Sequence, residues 1–134
     1  NTADRSLGSL DYAIRRRFAF IVEKPFGLDV EGFDKKLFKK VSSLFVKNFD
    51  KYKESGWDKT MKLEPAKTLS DGYKPEDVWI GHSYFLMQDE EGEDNTSNRL
   101  LYEIIPLLEE YIRDGVLTAE AQGVIDELYK QATE

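Results

Sequence analysis

Apolar residues in this chain fall into one short continuous run and several helical stripes, separated by stretches without a sustained period. Leu7, Leu10 and Ile14 lie three and four apart, and Ser6 or Ser9 precedes them as a cap, so a short helix is expected near the start. Phe18, Ala19, Phe20, Ile21 and Val22 are contiguous and are stopped by Lys24, Pro25 and Gly27. That is the pattern of a short strand buried on both faces, and its sheet partners are expected upstream. Pro25 to Asp29 read as a linker.

Beyond the linker the pattern turns helical. Phe33, Leu37, Val41, Leu44 and Phe45 make a stripe broad enough to face a core, while Lys35, Lys36, Lys39, Lys40 and Lys47 take much of the remaining surface. Residues 50–78 carry Gly56, Pro65, Gly72 and Pro75 without a period, which predicts a long connection with at most one short element, pinned by Trp57. Val78 to Met87 are dense in aromatic residues and hold the single histidine, His82. The acidic run from Asp89 to Asp94 repels itself and is expected to be a solvated loop.

From Thr96, the residues Leu100, Leu101, Ile104, Ile105, Leu108 and Ile112 give a wide apolar face. Pro106 lies inside it and removes a backbone donor, which predicts a kink or break. Gly115 suits the position just past the helix end, and Thr118 can cap a last helix with Ala121, Val124, Ile125 and Leu128 on its core side.

Composition narrows the classes. The 134 residues suffice for one packed domain without staples. The absence of cysteine excludes disulfides and thiolate zinc sites, and one histidine excludes a histidine-rich metal centre, so no metal site is expected. No run approaches the length of a membrane span, and the chain reads as cytoplasmic. A formal net charge of -7 argues against the whole domain as a nonspecific nucleic-acid binder.

The candidate chemistry lies near the start. Arg15, Arg16 and Arg17 precede the apolar run, and guanidinium groups, always charged and forked, match phosphate oxygens. The structural alternative is that they end a helix, where cations suit the dipole. Asn1 can orient a water, or can simply cap a turn.

Asn1 to Ser6 followed by Asp11-Tyr12-Ala13 and the arginine run resembles the McrB family, the NTP-hydrolysing motor subunit of 5-methylcytosine-specific restriction systems, within the AAA+ superfamily. Ile80-Gly81-His82-Ser83-Tyr84-Phe85 and Tyr102-Glu103-Ile104-Ile105-Pro106-Leu107-Leu108-Glu109-Glu110-Tyr111 agree with it. The resemblance implies a C-terminal fragment that is mainly α. Residues 1–27 would form the edge of an AAA+ αβα core, with one short strand, and residues 28–134 the helical lid.

The same resemblance implies site roles. Asn1 would be sensor 1, and Arg16 and Arg17 would be fingers inserted into the neighbouring subunit of a homo-oligomeric ring, by family analogy a hexamer. Asp4 and Arg5 would belong to a surface read by a McrC-like nuclease subunit, the alternative being a local hydrogen bond from Asp4 to backbone. Gly81, His82 and Ser83 would face the nucleotide in a sensor 2-like position. The arginine usual there in AAA+ lids is absent beside Gly81, and a lone histidine among Trp79, Tyr84 and Phe85 also fits a packed core residue.

The expected cofactor is GTP or ATP with Mg2+ in the full-length protein, and DNA would be recognised by a separate N-terminal domain. The chain has no G-x-x-x-x-G-K-[ST] loop and no apolar strand ending in paired acids, so the isolated fragment is expected to be inactive and to need no cofactor. The competing function is an acidic helical adaptor whose arginine run and aromatic cluster bind a protein partner. The competing architecture is a free-standing bundle in which the first strand extends a helix; Pro25 and Gly27, which end the apolar run so soon, argue against it.

Overall fold

A computed structural model describes residues 26–134. The proposed first helix, the strand at Phe18 to Val22 and all of the proposed αβα core edge except residues 26 and 27 lie outside them. What is described is mainly helical. In chain order the helices are α1 (Lys35–Ser42), α2 (Phe49–Glu54), α3 (Pro75–Val78), α4 (Thr96–Arg99), α5 (Ile105–Arg113) and α6 (Gln122–Thr133). Short 3-10 turns occur at His82–Phe85 and Ala119–Ala121. Among the described residues β pairing is confined to isolated bridges.

Asp34 starts α1 by accepting a hydrogen bond from the Leu37 N–H at 3.0 Å, which satisfies one of the free donors of the first turn. The expected stripe is buried throughout: Phe33, Leu37, Val41, Leu44 and Phe45 all face the core. Phe38, outside that stripe, is buried as well and forms the hub of an aromatic cluster. Its ring lies 5.4 Å from Phe33, 5.6 Å from Phe49, 5.3 Å from Phe85 and 6.0 Å from Trp79, the last pair nearly parallel at 12°. Tilted and edge-on aromatic pairs at such distances add to the burial of apolar area.

The span 50–78 departs from expectation. It holds parts of two elements, α2 and α3, rather than at most one. The alternation of charge and aromatic residues in Phe49–Glu54 hides a turn and a half of helix from a periodicity argument, although Phe49 and Tyr52, three apart, are both buried. Gly56, at φ 77°, ends α2: its N–H bonds to Lys53 O and the Trp57 N–H reaches back to Tyr52 O. That pair of bonds is the Schellman arrangement. Trp57 itself sits at φ 63°, rare for a bulky residue, and its ring packs against Tyr52 at 5.3 Å and Phe49 at 5.7 Å. Trp57 does pin the connection.

The rest of that connection is laced to the core by backbone. Lys47 N–H bonds to Glu64 O, Ala66 N–H to Phe45 O, Ser70 N–H to Val116 O and Thr118 N–H to Thr68 O. The Asn48 side chain donates to Lys62 O and accepts from Glu64 N–H, as a strand residue's backbone would. Leu63, Ala66 and Leu69 are buried beneath it.

Pro106 acts one turn upstream of itself. Leu100–Ile104 form a π turn between α4 and α5, and the Ile105 N–H bonds to Leu100 O. A proline ring collides with the carbonyl four residues back, and a widened turn ahead of it relieves the collision without ending the helix. The apolar face therefore continues across the distortion, with Leu100, Ile104, Ile105 and Leu108 buried. Gly115, at φ 81°, closes α5 with the same pair of bonds as Gly56, from Gly115 to Ile112 and from Val116 to Tyr111. Ala121, Ile125 and Leu128 of the last segment are buried as expected. Thr118 stands at the start of its 3-10 turn, but its hydroxyl makes no cap bond.

Candidate functional site

The corner at Gly81, His82 and Ser83 is the part of the expected site that the structure describes. It follows α3, and it is held in place by the ends of the aromatic segment. Trp79 and Phe85 on either side are fully buried. The 3-10 turn closes as Tyr84 N–H bonds to Gly81 O. Two further bonds tie the turn to the entry of α1, from Asp34 N–H to Phe85 O at 3.0 Å and from Met87 N–H to Gly32 O at 2.7 Å. Phe33 and Leu86 pair there as an antiparallel bridge.

Each of the three residues presents something different. Gly81 has φ -68° and ψ 158°, a conformation open to any residue, and a Cβ added there would meet nothing within 4 Å. Neither backbone strain nor packing requires glycine at this place, so the backbone is open to approach. Ser83 is exposed. His82 is half-buried, and its imidazole lies against the ring of Phe26 with centroids 4.4 Å apart at 41°. Its Nδ1 is buried.

Phe26 was hidden in the sequence by its place in an apparent linker. The next residue, Gly27, packs on the other side: a Cβ there would come within 2.6 Å of Trp57 Cζ2. Residues 26 and 27 therefore join the His82 corner to the Trp57 cluster. A ring flanked by Pro25 and Gly27 was the one available signal that this stretch packs rather than links.

Asn1, Asp4, Arg5, Arg16 and Arg17 lie outside the described residues. Among the described residues no group of three or more His, Asp or Glu side chains is placed to hold a metal ion, and no helix is long and apolar enough to cross a membrane. The Gly81 backbone has open space beside it and the Ser83 side chain is exposed, whereas the Nδ1 of His82 is buried.

Comparison with known proteins identifies the domain. The model of the McrB alpha-helical lid domain matches residues 68–119, a segment that contains Gly81, His82 and Ser83. The Type IV methyl-directed restriction enzyme EcoKMcrB subunit of Escherichia coli (strain K12) is 40% identical over 119 residues, which cover 85% of this chain. The chain spans 24% of the length of that relative. No solved structure matches.

Proposed function

We infer the function of this chain from the family to which it belongs, the McrB family: it is the lid-bearing C-terminal part of an NTP-hydrolysing subunit in a McrBC-like restriction system. Its nucleotide is GTP or ATP with Mg2+. The observation that carries the nucleotide reading is the Gly81 corner. It lies inside the matched lid segment, it carries a glycine that neither conformation nor packing demands, and its histidine leans on the segment leading back toward residues 1–25.

In this reading the lid closes over a nucleotide held chiefly by other parts of the protein. Phosphoryl transfer asks the protein for positioning and for positive charge where the γ-phosphate departs. Asn1 orients the attacking water or the γ-phosphate, since an amide both donates and accepts without titrating. Arg16 and Arg17 reach the nucleotide of the adjacent subunit in a homo-oligomeric ring. Asp4 and Arg5 belong to a surface for a McrC-like nuclease subunit, and a separate N-terminal domain meets the DNA. Gly81, His82 and Ser83 contact the nucleotide from the lid side.

Equilibrium binding of fluorescent GTP and ATP analogues to the full-length protein tests the lid assignment. His82→Ala and Gly81→Val are each expected to weaken binding by about tenfold, the worth of one good polar contact, with the melting temperature unchanged. Unchanged affinity in both variants removes the corner from the nucleotide site.

A further inference from the structure

Outside the segment matched by the lid model, α1, α2 and residues 27–29 enclose a cavity of about 250 Å³. Leu28, Phe33, Phe38, Phe49 and Trp57 supply its apolar lining, and Lys35, Lys36, Lys39 and Lys53 line it as well. Two of these four charges are answered. Lys35 Nζ lies 3.1 Å from Asp29, and Lys39 Nζ lies 3.2 Å from Asp50. Lys36 and Lys53, both exposed, pair with no acidic group among the described residues. In a chain whose formal charge is -7, an apolar hollow lined also by lysines is a local reversal of the surface.

We propose that this cavity is a docking site for an acidic protein segment that inserts one large apolar side chain beside Leu28 and Trp57 while its carboxylates meet Lys36 and Lys53. Charge complementarity selects the occupant. Residues 1–25 carry five basic against three acidic residues, the wrong sign for these lysines. The acidic loop of a second copy, Asp89 to Asp94, has the right sign but contains no apolar residue to fill the hollow. Single-stranded nucleic acid needs exposed aromatic faces on which bases stack. Here Phe38 is only 1% exposed, and Gly27 lies against the indole of Trp57. The hollow takes a side chain end-on and offers no platform. It is separate from the Gly81 corner, so the proposal stands or falls independently of nucleotide contact there.

The test is fluorescence anisotropy of the full-length protein with a fluorescein-labelled peptide of aspartates and glutamates bearing one central phenylalanine. Binding is expected, weakened about tenfold by the pair Lys36→Glu and Lys53→Glu and by replacing the peptide's phenylalanine with alanine. NTP turnover without peptide stays unchanged in the lysine variants. No binding of the peptide at about 1 mM, or binding indifferent to the lysine pair or to the phenylalanine, overturns the proposal. So does equal binding of labelled oligo(dT) that the same lysine variants abolish.

Discussion

The indole N–H of Trp79 donates to the hydroxyl of Ser42 across 2.8 Å, with both residues fully buried. This one bond joins the last turn of α1 to the aromatic segment that carries the Gly81 corner. A second bond, from Tyr111 Oη–H to Val78 O at 2.9 Å, anchors the same segment to α5. Removing a partner from a buried pair leaves the other unsatisfied, which costs more than the bond itself gains. Ser42→Ala is therefore expected to destabilise the chain by about 1–3 kcal/mol, read from urea unfolding. A smaller loss in Ser42→Ala than in an exposed control such as Ser83→Ala would show that the bond holds nothing.

The two glycines at 81 and 115 are expected to behave oppositely. Gly115, at φ 81°, occupies the left-handed region at a helix end, and Gly115→Ala should cost about 1–2 kcal/mol. Gly81→Ala has an ordinary conformation and open space for the methyl group, so stability should stay within about 0.5 kcal/mol. Thermal unfolding of the two variants beside the parent chain checks the contrast.

Asp94 should titrate below the ordinary aspartate range. The Thr96 hydroxyl at 2.6 Å, and after it the Thr96 backbone N–H at 3.0 Å, hold its carboxylate at the start of α4. A depressed pKa in the folded state gives a contribution that is fully present above the unfolded pKa and is lost as pH falls through the folded one. The Asp94–Thr96 turn before α4 is thus expected to hold at neutral pH and to release only under acid conditions, below the ordinary aspartate range. NMR titration of the Asp94 carboxyl checks this, and Thr96→Ala should return the midpoint toward the ordinary value.

Much of the helical frame was legible because stripes and stop signals agree. The α1 stripe, the glycine after α5 and the exposed acidic loop follow from period, φ preference and charge repulsion, and each depends only on residues close in sequence. Phe38 was missed because a helix buried on two sides no longer shows a single stripe. The laced connection was missed because its order comes from partners far along the chain, such as Thr68 with Leu44 and with Thr118. At the site, the resemblance pointed to Gly81, and only the structure shows the open space beside it. Phe26 was not anticipated, since only folding brings its ring against His82. Pro106 was expected to kink or break the helix, and the π turn shows how the chain absorbs it without a break.

We propose that this chain belongs to a ring-forming NTPase whose arginines act on a neighbour's nucleotide. The most direct test is turnover of GTP and ATP by the full-length protein, alone and with its McrC-like partner subunit, beside Arg16→Ala and Arg17→Ala. At least one variant is expected to lose turnover by about 10³-fold or more while still binding nucleotide. Turnover at the parent rate in both variants, or no turnover by the parent protein with its partner present, contradicts it.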